Sequence, residues 1–243
     1  MSSKLQRLFV KSKLEPGAEI ALAKDQAHYL GTVLRLKPGE RILLFNGNDG
    51  EWCAGLTAIG RKGVEARLEH QTRPQENGPD LHYLFAPLKR ARLDYMAQKA
   101  TELGASALRP VITRHTMAER VKTERLRANA IEAAEQCGIL RVPEVMDPEK
   151  LSKLLAAWDA TRLLIFADES APHASPIEAL KTRRPGPLAV LIGPEGGFKR
   201  EERAALLAKS FVLPISLGPR VMRADTAAVA ALALVNAALG DWQ

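Results

Sequence analysis

The 243-residue sequence predicts a small all-β domain followed by an α/β domain built on a parallel sheet. Three features carry that expectation. A polar stretch at residues 70–80, "HQTRPQENGPD", holds two prolines, one glycine and almost nothing apolar, as a linker between packed units does. Before it, short strand-like runs recur between turn residues. After it, apolar β-rich runs alternate with stretches of helical periodicity. The break divides the chain into domains at 1–72 and 80–243.

Taken in chain order, "RLFV", "AEIAL", "RILLFNG", "EWCAGLTAIG" and "VEARLEH" have the length and composition of strands in a small barrel or sandwich. Among them only "DQAHYLGTVLR", Asp25 to Arg35, reads as a helix, with Asp25 as its N-cap. Past the linker, "LHYLFAPL", "ALRPVIT", "RLLIFAD", "LAVLIG" and "VLPISLG" are continuous apolar runs of buried-strand character. The helical stretches between them include "LDYMAQKATELG", "ERLRANAIEAAEQCG" and "KREERAALLAKS". In the second, Leu126, Ala130, Ala134 and Cys137 form an apolar stripe. Strands alternating with helices imply a parallel sheet covered on both faces. The last helix, "ADTAAVAALALVNAALGD", is apolar nearly all round. It should be buried on every side, deep in the fold or against a second subunit, and a homodimer is expected.

An apolar fraction of 46% builds a sizeable core, and a net charge of +7 with a pI near 9.5 favours an acidic partner, nucleic acid before an anionic membrane. Cys53 and Cys137 lie far apart without metal-ligand spacing, so neither a disulfide framework nor a zinc site is expected. The five histidines show no H-x-x-x-H or triad pattern, and no metal is expected. "MSSKLQRLFV" lacks a signal-peptide core, and the longest apolar run, Ala227 to Val235, is too short to span a membrane. A cytoplasmic, soluble protein is the expectation.

Two strand-end loops stand out, because ligands in open α/β sheets sit beyond the carboxyl ends of strands. "GPEGGF", Gly193 to Phe198, can bring backbone close to a ligand through Gly196 and Gly197. It lacks the Gly-Lys-Ser/Thr of a P-loop and the G-x-G-x-x-G of a dinucleotide site. Glu195 in its middle would repel pyrophosphate; a carboxylate suits ribose hydroxyls, amines or a cation. "SLGPRVMRADTAA", Ser216 to Ala228, sets Gly218, Arg220, Arg223, Asp225 and Thr226 at a helix entrance. Asp225 or Thr226 there could simply cap the helix, but two arginines and an acid crowded onto a strand-end loop, opposite a glycine loop, fit a site better. Weaker signals are the cluster "LKRAR", Leu88 to Arg92, which could contact phosphates but is more commonly a solvated charge run, and Glu135–Gln136 in "EAAEQCGILRVPE", at a helix end where polar residues are usual.

At these loops the sequence resembles the SPOUT class of S-adenosylmethionine-dependent RNA methyltransferases, specifically the RsmE family. "HYLGTVLRLKPGE", "QKATELGA", "EAAEQCG", "LIGPEGGF" and "LGPRVMRADTAA" stand in family order along nearly the whole chain. The resemblance implies a PUA-like N-terminal β-barrel that binds RNA, an α/β domain tied in a trefoil knot, and a homodimer. It implies methylation of uridine N3 in 16S ribosomal RNA, within the small subunit. S-adenosylmethionine is a sulfonium bearing a ribose diol, which gives Glu195 a purpose. The implied cofactor residues are Ile192, Gly193, Glu195, Gly196, Gly197, Leu217, Gly218, Val221, Met222, Thr226 and Ala227. The implied RNA contacts are His28, Arg35, Lys89, Arg90, Arg92 and Arg220. Arg223 and Asp225 are the catalytic pair: Arg223 would stabilise the imide anion on O2 and O4, and Asp225 or Glu195 would take the proton. Asp225 stands where the family usually has glutamate, and Ile139 where it usually has arginine. The rival reading is a non-catalytic RNA-binding or ribosome-assembly protein, which would need no cofactor pocket.

Overall fold

The computed structural model describes residues 5–60, 63–116, 121–172 and 175–242. The chain forms two compact units, residues 1–77 with 134–142, and residues 78–133 with 143–243.

The first unit carries β1 (Arg7–Phe9), β2 (Glu19–Ala21), α1 (Lys24–His28), β3 (Arg41–Phe45), β4 (Glu51–Gly60) and β5 (Gly63–Arg73). Its strands follow the order β1-β3-β4-β5-β2, with β1 parallel to β3 and the other pairings antiparallel. Val64, Ala66 and Leu68 of β5 alternate with exposed residues and face a core that includes Leu30, Ile42, Leu44 and Leu56. The expected helix differs in detail. It starts at Lys24, where Gln26 Oε1 accepts the Ala23 N–H at 3.2 Å, and becomes a π-helical turn over Tyr29–Val33. The chain leaves this turn through Arg35, which holds a φ of 56° in the left-handed region. The polar stretch is also shorter than expected as a linker, because β5 continues to Arg73 and pairs Gln71 with Trp52 and Arg73 with Glu51. Ladder hydrogen bonds rather than burial hold this strand end, so its apolar pattern is silent.

The second unit contains β6 (Leu81–Phe85), α2 (Arg90–Glu102), β7 (Ala107–Ile112), α3 (Thr123–Cys137), β8 (Glu144–Val145), β9 (Glu149–Lys150), α4 (Leu151–Ala156), β10 (Leu163–Ala167), α5 (Pro176–Lys181), β11 (Leu188–Ile192), α6 (Arg200–Leu207), β12 (Val212–Ile215) and α7 (Ala224–Leu239). The last residues of α3 pack with the first unit. The strand order is β12-β10-β11-β6-β7-β8, with β9 also on β7, and each of these pairings is parallel. Every residue of β11 is buried, as a central parallel strand requires. In α3 the buried face is Leu126, Ala130, Ala133 and Ala134, while Cys137 is exposed at the helix end. α7 packs against α2, α5 and β11 through Ala228, Ala231, Leu232, Val235 and Leu239. It is not buried all round in the single chain: Thr226 and Ala237 are exposed, and Val229, Ala230 and Ala233 are half-buried on one stripe.

The turn after α3 serves the first unit. The Arg7 guanidinium, buried with Glu51, donates to Glu51 Oε2 at 2.5 Å and to the carbonyls of Ala134, Glu135 and Ile139 at 2.6, 3.0 and 3.2 Å. Those carbonyls lie at a helix end, where the last C=O groups run out of intrahelical donors; the Ala134 carbonyl also accepts the Ile139 N–H at 3.1 Å. Glu135 Oε1 in turn accepts the Phe9 N–H at 2.8 Å. Ile139 packs against Phe45, Ala134 and Leu140, so an apolar residue is at home there.

Candidate active site

The adjacent parallel strands β12, β10 and β11 end together, and the loops that follow them enclose one cavity of about 370 Å³. That size is in the range of small-ligand sites. The Asp168 N–H donates to the Ile215 carbonyl at 3.0 Å, which ties the end of β10 to the end of β12. The walls come from 166–170, 192–195 with 197–198, Arg203 of α6, 217–218, 220–223 and the first turn of α7.

Most of the residues expected at a ligand site meet here. Ile192, Gly193, Glu195, Gly197, Leu217, Gly218, Val221, Met222 and Ala227 line the cavity, as do Arg220 and Arg223. Gly196 does not lie on the wall; its carbonyl, with that of Gly197, faces His115 Nδ1 at 3.0 and 3.1 Å. Thr226 is exposed and also off the wall, with its N–H donating to Asp225 Oδ1 at 2.9 Å. The glycines of the loop act for different reasons. A Cβ on Gly193 would strike Phe198 Cε2 at 2.4 Å, whereas Gly197 and Gly218 have φ of 67° and 106° in the left-handed region.

The charges sort into pairs. Arg92 forms an ion pair with Glu195, so the carboxylate in the glycine loop is not left unanswered, and Arg92 is not a free phosphate contact. Buried Asp168 accepts from Arg203 Nε at 2.9 Å and from the Ser170 N–H at 3.0 Å. The hydrogen bond from Arg203 to Asp168 holds the guanidinium further above its ordinary pKa. Glu169 has no ion pair among the described residues; its Oε1 lies 3.5 Å from where a Gly197 Cβ would stand. The Arg223 side chain is 62% exposed, and its ion-pair partner, Asp225, is 4.0 Å away. Tyr83 of β6 is fully buried; burial first and the Asp225 charge second push its phenol well above the ordinary value. Asp168, Glu169, Ser170 and Arg203 escaped the sequence reading. Their one signal is a pair of acids at the carboxyl end of an apolar run.

Of the residues expected to meet RNA, His28 and Arg35 are exposed in the first unit, and Lys89 and Arg220 in the second. The side chain of Arg90 lies outside the described residues.

Comparison with known proteins agrees with this geometry. A family model described as an RNA methyltransferase domain matches residues 75–236, and one described as an RNA methyltransferase PUA domain matches residues 22–69. The fold is therefore of the RNA methyltransferase class. The chain is 33% identical to ribosomal RNA small subunit methyltransferase E of Rickettsia conorii over 96% of both chains. It is 28% identical to the Bacillus subtilis protein of that name, again over 96% of each. The chain belongs to the ribosomal RNA small subunit methyltransferase E family. Two solved structures resemble it closely. A Legionella pneumophila methyltransferase in complex with S-adenosylmethionine superposes with a TM-score of 0.87 at 30% identity, covering 98% of this chain and 99% of that one. Ribosomal RNA small subunit methyltransferase E of Neisseria gonorrhoeae, bound to S-adenosylmethionine, gives 0.84 at 26% identity, covering 99% and 100%.

Proposed function

We propose that this protein methylates N3 of a uridine in small-subunit (16S) ribosomal RNA, with S-adenosylmethionine as donor. The observation that carries the reading is the strand-end cavity, in a chain whose relatives along its full length act on small-subunit ribosomal RNA. The residues present suit that cofactor. Ile192, Leu217, Val221 and Met222 offer apolar wall, and Glu169 offers a carboxylate with no ion pair among the described residues to a ligand that carries cationic and hydroxyl groups. A phosphate ligand would meet Asp168, Glu169 and Glu195 on the same wall.

When bound, S-adenosylmethionine supplies an electrophilic methyl group. The protein's task is to make N3 nucleophilic and to hold it in line. A neutral imide nitrogen is a poor nucleophile, so its proton must leave. Asp225 is the ion-pair partner of Arg223 and takes the proton, directly or through a water. The negative charge that develops on O2 and O4 is met by Arg223, whose side chain is exposed and only loosely paired. Arg220, exposed on the same loop, and Lys89 hold the RNA backbone.

The β-rich unit, residues 1–72, would add RNA contacts through His28 and Arg35, with catalysis in residues 80–243. The half-exposed apolar stripe of α7, from Thr226 to Ala237, favours burial against a second copy. Light scattering should then report about twice the 26.5 kDa chain mass. The ribosomal substrate fits a cytoplasmic location. Among the described residues, no helix is long and apolar enough to cross a membrane.

The decisive test is mass mapping of modified uridines in ribosomal RNA from cells lacking the protein, paired with calorimetry against S-adenosylmethionine. Unchanged modification refutes the activity. No binding of the cofactor favours an RNA-binding protein without catalysis.

A further inference from the structure

The glycine loop between β11 and α6 is held from outside the cavity by a turn that neither the chemistry above nor the cavity wall uses. After β7 the chain folds tightly over 113–116: the Thr113 N–H donates to Thr116 Oγ1 at 2.8 Å, and the Thr116 N–H to the Thr113 carbonyl at 3.2 Å. This turn presents His115. Its Nδ1 lies 3.0 Å from the Gly196 carbonyl and 3.1 Å from the Gly197 carbonyl. Carbonyl oxygens only accept, so Nδ1 carries the hydrogen and donates a shared bond to both. The same turn has a second anchor, because the Arg114 N–H donates to Glu202 Oε1 at 2.9 Å while Glu202 Oε2 accepts the Lys199 N–H at 3.1 Å. Both ends of the segment from Gly196 to the start of α6 are thus tied to the β7 turn. Inside that segment the Gly197 N–H closes a turn onto the Pro194 carbonyl at 2.9 Å, which sets Glu195 at its tip on the cavity wall.

We infer that His115 is a positioning residue for cofactor binding: its Nδ1–H clamps the Gly196 and Gly197 carbonyls and thereby fixes the wall formed by Glu195 and Gly197. The clamp does not touch the ligand. Its effect on affinity is to hold the loop in the bound shape beforehand, so that binding does not have to order it. A Cβ on Gly196 would meet the His115 side chain only at ordinary contact distances, with Cβ, Nδ1 and Cγ at 3.6, 3.7 and 3.8 Å, so the clamp acts through the loop carbonyls and not through the lack of a side chain at 196.

The inference takes its ligand from the proposed function, but two of its readouts need none. In the ligand-free protein, nitrogen-15 NMR of the histidine rings should show His115 as the Nδ1–H tautomer. An Nε2–H tautomer overturns the clamp. Hydrogen exchange of the backbone amides at 195–198 should quicken in His115→Ala. His115→Asn places an amide N–H near the lost Nδ1–H and should restore both slow exchange and binding. By calorimetry, His115→Ala should bind S-adenosylmethionine roughly three- to tenfold more weakly, the worth of one such hydrogen bond, and His115→Asn within about twofold of the parent. In assays the alanine variant should raise KM for the cofactor and keep kcat at saturation, a split that general destabilisation would not produce. Parental affinity and exchange in the alanine variant refute the inference. If the parent itself does not bind S-adenosylmethionine, the proposed function fails, while tautomer and exchange still decide the clamp.

Discussion

Replacing Gly193 with alanine tests the cavity wall at its tightest point. β11 ends at Ile192, and a Cβ on the next residue would lie 2.4 Å from Phe198 Cε2, 3.0 Å from Cδ2 and 3.2 Å from Cζ. An ordinary contact between these carbons is about 3.5–4.0 Å, so the ring edge must withdraw by roughly 1 Å or more. Phe198 cannot retreat into the core, because it stands edge-on to fully buried Phe166 with centroids 5.1 Å apart. The open direction is the cavity, which both rings line. Overpacking of this kind costs about 1–3 kcal/mol. If a bound ligand must push the ring back against even half of that strain, affinity falls roughly two- to tenfold. Urea unfolding and calorimetry with S-adenosylmethionine on the parent, Gly193→Ala and Gly193→Ala/Phe198→Leu measure both effects, and the double variant should recover part of each loss. Gly196→Ala is the internal control: its new Cβ meets His115 at an ordinary 3.6 Å, so stability and affinity should stay near the parent. Parental stability and affinity in Gly193→Ala refute the steric reading of the loop.

Three further outcomes are expected. Arg223→Lys keeps the charge but loses the planar fork, and should cost roughly a hundredfold in rate at saturating RNA while cofactor binding stays intact; an unchanged single-turnover rate at saturation removes Arg223 from catalysis. Arg7→Met leaves buried Glu51 without its ion pair and removes one donor from three carbonyls at the end of α3, and should lower unfolding stability in urea by about 3–5 kcal/mol; a loss near zero would mean the α3 turn is held by other contacts. Asp80, whose carboxyl is held below its ordinary pKa first by the hydrogen bond from Arg162, pairs through both oxygens at 2.9 and 2.7 Å and is half exposed. Asp80→Asn should cost about 1 kcal/mol at neutral pH. The parent's advantage should hold above about pH 3.9, the unfolded carboxyl value, and vanish as pH falls further through the lowered folded value; a pH-independent difference refutes the pair.

How far the sequence reveals this molecule depends on whether a residue acts through its own burial or through something distant. The strands of the parallel sheet were legible because burial on both faces writes a continuous apolar run, as in Leu188–Ile192. The two cavity loops were legible because glycines and arginines at strand ends are unusual there. The Arg7 clamp was not, since the guanidinium grips main-chain carbonyls more than a hundred residues away, and a carbonyl has no letter in the sequence. Asp168 and Glu169 were passed over because "ADES" reads as an ordinary polar turn until β10 is seen between β11 and β12. α7 misled in the other direction. Its alanines have too little polarity to mark which face is covered, so a helix with one open stripe reads as one buried all round.

The charges at the cavity explain why a glycine-rich turn after a buried strand is not a phosphate site here. Asp168 is matched by Arg203 and Glu195 by Arg92, which leaves one unpaired acid, Glu169, among the described residues of the wall. Arg220 and the loosely held Arg223 remain as exposed cations on the neighbouring loop. A pocket for a nucleotide triphosphate would show the opposite balance, with its acids removed and its backbone N–H groups open to the anion. Instead, the acid suits a small cationic ligand held by the wall, while the exposed arginines suit a large anion arriving from solution. Moving the acid out of balance should therefore separate the two affinities. Glu169→Gln weakens cofactor binding without changing the salt dependence of RNA binding, whereas Arg220→Gln lowers the RNA salt slope by about one and leaves the cofactor untouched.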